Sequence, residues 1–264
     1  MEQSAEEMAL ARFTAGDYPQ AAELLEQVLA SEPENPRARI GYLTAQALAH
    51  TPVKGEALRQ TWGEIRELLE SCATWEIAEE ARQAVSILAN TVYRNCNDWQ
   101  KMEYAALQKD VNFEKKEYVL QQFQRILLTA DVEYRAVLEF LYGYAALALQ
   151  MADGAPEDFL RGVVKNMLFA AELQFEIGLQ EEFDPLILAG YVCRMDLSAL
   201  SDGEELRQEL LKATLHGEQA LARWEEFAPY APPELHKALE KEVKKARFLE
   251  KLQFWKRLKK KVRS

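Results

Sequence analysis

Histidines, cysteines and grouped carboxylates are the side chains from which metal sites and nucleophilic centres are built, and this sequence uses them sparingly. Its three histidines, His50, His216 and His236, lie far apart. None belongs to a His-Glu-x-x-His or Glu-x-x-His element, and no Cys-x-x-Cys occurs. Those spacings are the ones that bring ligands to one helix face or one loop around a metal. The histidines therefore read as exposed or hydrogen-bonded structural residues. Cys193 ends the apolar stretch Leu188-Ala189-Gly190-Tyr191-Val192, where burial keeps a thiol protonated and inert. The nucleophile elbow Gly-x-Ser-x-Gly, the dinucleotide fingerprint Gly-x-Gly-x-x-Gly and the phosphate loop Gly-x4-Gly-Lys-Ser/Thr are absent. Glu23 with Glu26, Glu181 and Glu182 with Asp184, and Glu225 with Glu226 read as solvated helix faces and ends. The expectation is a protein that is not an enzyme, with no cofactor and no metal.

Charge is the second chemistry on offer. The 264 residues carry a net −11, unevenly spread. From Lys237 to Ser264 there are 12 Lys and Arg against 3 Glu, a net +9. The first 236 residues hold 20 basic and 40 acidic groups, a net −20. Such a body repels nucleic acid and anionic membrane, whereas the tail attracts both. Within the tail, Phe248, Leu252, Trp255 and Val262 recur at helical steps among the cations, an amphipathic cationic helix. Lys251, Trp255, Lys256, Arg257 and Lys260 are its candidate contacts to an anion or partner. Three roles fit it: a C-terminal cap packed by its apolar face, a dock for an acidic protein, or a contact to anionic lipid or nucleic acid.

Helices must position these groups. Residues 64–142 contain neither Gly nor Pro, whereas a sheet protein needs turn residues every ten positions or so. Phe159, Val163, Met167, Ala171 and Phe175 step by four, with Leu160, Val164 and Leu168 beside them, a broad helical stripe. Val137, Leu138, Leu141, Tyr144, Ala145 and Ala148 make another. The pattern predicts helices at about 2–15, 18–31, 36–49, 55–72, 75–95, 98–128 with a split near Asn112, 131–151, 156–178, 184–197, 203–227 and 232–262. Asn95-Cys96-Asn97-Asp98 and Thr129-Ala130-Asp131 serve as corners in the unpunctuated middle, with Asp131 capping a helix start. Short links favour antiparallel neighbours. No linker composition interrupts the chain, so one domain over 1–264 is expected, with segments 1–49, 50–231 and 232–264. The acidic N-terminus does not resemble a secretory signal. Three scattered cysteines (Cys72, Cys96, Cys193) do not suggest a disulfide framework. A cytoplasmic location is expected.

Gly16-Asp17-Tyr18-Pro19-Gln20-Ala21, followed by Leu25, Val28 and Pro33-Glu34-Asn35, resembles the second half of a tetratricopeptide repeat. In that family a glycine opens the turn, small residues such as Ala9 and Ala21 sit where helices cross, and larger ones such as Leu25 and Val28 fill the space between repeats. Arg12 and Ala5 stand where the family prefers Tyr and Trp. Pro36-Arg37-Ala38-Arg39-Ile40-Gly41-Tyr42-Leu43 looks like the start of a second repeat, and no 34-residue period continues beyond residue 50. The resemblance implies an all-α protein of antiparallel helical hairpins, stacked into a right-handed α-solenoid or an irregular helical bundle of about 11–12 helices. It also implies a concave groove for a protein or peptide partner. By the family's layout Gln3, Glu6, Leu10 and Phe13 from the first helix and Arg37, Ile40 and Thr44 from the third would line it. An acidic rim beside two arginines does not resemble a carboxylate clamp, so capture of a C-terminal carboxylate is not expected. The function expected is a non-catalytic adaptor or scaffold. The alternatives are a helical domain acting through its cationic C-terminal helix and, less favoured by the residues, an all-α enzyme.

Overall fold

The computed structural model describes residues 4–50, 52–71, 74–179 and 182–262, with side chains through residue 249. Every regular element among them is an α-helix, twelve in all, and the protein is all-α. The chain divides into two compact units, Met1–Asn166 and Met167–Ser264.

The first unit opens with α1 (Ala5–Thr14), α2 (Tyr18–Ser31) and α3 (Pro36–Ala49). Each start is chemically marked. Ser4 and Glu7 form a reciprocal capping box on α1. Gly16 takes φ +79°, a conformation L side chains rarely adopt, and turns the chain into α2. The Asn35 side chain accepts from the Ala38 N–H at 3.1 Å, and Pro36 supplies the preset first residue of α3. Ala9, Leu25, Val28 and Ala38 bury together where the three helices meet.

Next come α4 (Gly55–Ser71) and two long helices, α5 (Trp75–Gln108) and α6 (Lys116–Gln150). Helix α5 packs on α3 and α6, and α4 packs on α6. Tyr144 is fully buried, and its hydroxyl donates to the Ala78 carbonyl at 3.0 Å. Trp62 meets Phe140 edge-on at 5.3 Å.

The corners expected at 95–98 and 129–131 do not form. Both segments run straight through helix, and the chain reverses once, at 109–115. Asn and Asp cost under ~1 kcal/mol each in a helix interior, which packing readily overrides. Cys96 and Ala130 are buried facing one another, with the thiol 3.8 Å from the Ala130 carbonyl. The Asn95 amide donates to the Val53 carbonyl. Asp131 caps nothing and pairs with Arg135 one turn on, at 2.7 Å.

Helix α7 (Glu157–Ile177) contains the boundary between the units. The second unit continues with α8 (Pro185–Arg194), α9 (Gly203–Thr214), α10 (Gly217–Ala222), α11 (Trp224–Phe227) and α12 (Pro233–Val262). The single helix expected over 203–227 is three, interrupted at Leu215 and His216 before Gly217, whose φ is +73°. Arg207 ties α9 to the end of α8 by donating to the Met195 and Val192 carbonyls. Helix α12 packs on α10 and buries Leu239 and Val243.

Candidate functional site

A groove of about 610 Å³ opens in the first unit. Helices α1, α3 and α5 line it, with Leu25 of α2 at its base. The floor is small and apolar: Ala9, Ala38 and Ala84 contribute one methyl each, and all are buried. Their size lets successive helices approach, as small residues do at helix crossings. Gly41 continues this floor, and a Cβ there would sit 3.2 Å from Leu25 Cδ1.

The walls are larger and partly open. Leu10 is 68% exposed and Ile87 38%. Phe13 is half-buried, its ring edge-on to Tyr18 at 5.3 Å. Glu6, Glu7, Glu80 and Arg37 form an acidic rim, and all four are exposed. Arg37 also helps hold the neighbouring Glu76 carboxyl below its ordinary range, after that residue's own backbone N–H and the Thr74 hydroxyl. Thr44 offers the groove little polarity, because its hydroxyl donates to the Ile40 carbonyl one turn back at 2.7 Å.

Of the seven residues named from the repeat layout, Glu6, Leu10, Phe13, Arg37, Ile40 and Thr44 lie along this one groove. Ile40 and Thr44 belong to its buried floor rather than its surface. Gln3 lies outside the described residues. The sequence reading missed the third wall. Glu80, Gln83, Ala84 and Ile87 present one face of α5 at spacings of three and four. That face carries no turn glycine or repeat signature; the Ala81, Ala84, Val85 and Leu88 periodicity was its available signal.

Elsewhere the reactive groups are quiet. Cys96 and Cys193 are buried free thiols, each pushed up to about 11 by burial. Cys72 lies outside the described residues. His216 approaches Glu242 at 3.2 Å and meets Phe175 edge-on, while His236 stacks on Trp224. Among the described residues, no three His, Cys, Asp or Glu side chains converge on a metal position. On α12 Leu239 and Val243 are buried on one face, whereas Phe248, on the opposite face, and Leu249 are exposed. The side chains of Lys251, Trp255, Lys256, Arg257 and Lys260 lie outside those described. No described helix is long and apolar enough to cross a membrane.

The tetratricopeptide repeat family model matches residues 12–51, from the end of α1 through α2 and α3. This segment is similar to repeats that mediate protein–protein interaction in that family. No curated protein and no solved structure matches the chain.

Proposed function

We propose that the protein is a non-catalytic adaptor that holds a segment of another protein in the α1/α3/α5 groove. The observation that carries this reading is the meeting of an apolar floor, partly open Leu10, Phe13 and Ile87, and an acidic rim in one concavity. Apolar side chains entering such a groove gain roughly 25 cal/mol per Å² removed from water. Three glutamates against one arginine favour a segment with apolar anchors flanked by Lys or Arg. Orientation then comes from the rim and affinity from the anchors.

The test is co-purification with the full chain as bait. The double variant Phe13→Ala, Glu80→Lys removes an anchor contact and reverses one acidic rim charge, and partner recovery should fall at least tenfold. Leu10→Glu is the companion variant, because an exposed position leaves the fold intact; circular dichroism checks this. Undiminished recovery of the same partner by both variants would sink the reading.

A further inference from the structure

The outer half of the α5/α6 hairpin leaves a row of apolar side chains in solvent. Leu120, Phe123, Leu127, Leu128 and Val132 of α6 are 40 to 68% exposed. Leu120, Phe123 and Leu127 step by three and four along one edge of the helix, and Leu128 and Val132 continue on the adjoining row. The opposite side of α6 is already occupied. Ile126 and Ala130 are buried, Phe123 also stacks on Tyr104 of α5 at 5.1 Å, and Arg125 pairs with Glu103 at 2.6 Å.

Length explains why the row is open. At ~1.5 Å per residue, α5 and α6 each reach about 50 Å, while α3 and α4 reach only about 21 and 26 Å. The hairpin therefore outruns the helices that pack on its inner half. Isolated exposed leucines are ordinary, but these five share one stretch of about 18 Å. They leave on the order of 500 Å² of apolar surface open, and Val111 and Phe113 in the turn that leads into α6 raise this toward ~700 Å². That approaches one partner's share of a standard interface and lies at the upper end of, or above, the ~300–600 Å² of a typical monomer's largest patch.

The charge distribution makes this face the one on which two copies meet with least repulsion. Residues 98–132 carry five basic and six acidic groups, a net −1. The remainder of the first 236 residues carries 15 and 34, a net −19. Two copies meeting over that remainder bring like charges together, whereas the hairpin end is nearly neutral and apolar. We infer that a second copy of this chain covers the face, the two α6 helices packing against one another about a two-fold axis. Such an interface is self-complementary, each row of leucines meeting its own copy. It lies outside the groove and does not depend on the groove's role.

Sedimentation equilibrium of the full chain tests this. A species of twice 30.3 kDa is expected at about 100 µM. The triple variant Leu120→Glu, Leu127→Glu, Leu128→Glu should be monomeric with an unchanged helical signal. Should the triple variant not fold, Leu128→Lys alone, at the most exposed of the five, should weaken the dimer at least tenfold. A monomeric full chain at that concentration overturns the inference, and so does a dimer that these substitutions leave intact.

Discussion

The N-terminal helices and the outer α5/α6 hairpin are both antiparallel and helical, yet they place apolar surface in opposite ways. In α1–α3 the turns are set by Gly16, Pro19, Asn35 and Pro36, and the contacts are made by Ala9, Ala21 and Ala38. Small residues bring the helices close and leave a hollow between them, so partly open Leu10 and Phe13 face inward onto a groove. In the hairpin, aromatics hold the helices together: Tyr93 lies 5.9 Å from Tyr134, Tyr104 stacks on Phe123, and the Tyr134 hydroxyl donates to Gln100. Bulky contacts fill that seam and leave the remaining leucines facing outward. Residue size at the seam decides whether a helical pair offers a concave or a raised apolar surface.

The largest effect should separate the hairpin's two halves. Leu88, on the inner half of α5, is fully buried, while Leu128 is mostly exposed. Leu88→Ala removes packing and leaves a cavity, and should cost about 2–5 kcal/mol. Leu128→Ala should stay within about 0.5 kcal/mol when the chain is dilute enough to be monomeric. Urea unfolding of both variants at low concentration measures the difference. Similar losses would mean that the outer row is covered within the monomer.

A smaller effect should show how far the groove depends on close approach. Gly41 has Leu25 Cδ1 at 3.2 Å from its absent Cβ, whereas Gly63 in α4 has open space around the same position. Gly63→Ala should stabilise by about 0.5–1 kcal/mol, the ordinary gain of replacing glycine within a helix. Gly41→Val should instead destabilise by roughly 1–3 kcal/mol through overpacking. A neutral Gly41→Val, read by thermal unfolding, would show that the α2/α3 crossing is loose.

The same contrast explains what could be read from the sequence. Gly16, Asn35 and Pro36 act locally, through φ and capping, so the ends of α2 and α3 were legible from neighbouring residues alone. The groove's α1 and α3 walls followed from the repeat resemblance. Its α5 wall did not, because Glu80, Gln83, Ala84 and Ile87 reach the groove only through the packing of α5 on α3. The unpunctuated middle misled for a related reason. Asn95, Asn97 and Asp131 have the composition of corners, but burial of Cys96 and Ala130 holds the helices continuous. The reversal is instead made by Asp110 and Asn112, at the split anticipated near Asn112.

That reversal supplies the smallest and most local prediction. The Gly16 turn is shaped by backbone conformation, whereas the 109–115 turn is held by a carboxylate. Asp110 Oδ1 accepts the Asn112 backbone N–H at 2.7 Å, and Oδ2 accepts the Tyr118 hydroxyl at 2.8 Å. The Asn112 N–H foremost, then Tyr118, hold the Asp110 carboxyl below its ordinary value. The folded turn thus prefers the ionised form, so its contribution is complete above the ordinary aspartate range near ~3.9 and fades as pH falls through the lower folded value. The Tyr118 phenol is raised, chiefly by the same hydrogen bond to Asp110, so its share fades as pH rises through that higher value. The Asn112 amide resonance should therefore titrate with a midpoint below ~3.9. Asp110→Asn should abolish that titration and leave the Gly16 amide unmoved. A midpoint at or above the ordinary value would show that the turn is held by its neighbours' packing, as the Gly16 turn is held by its backbone, and not by the carboxylate.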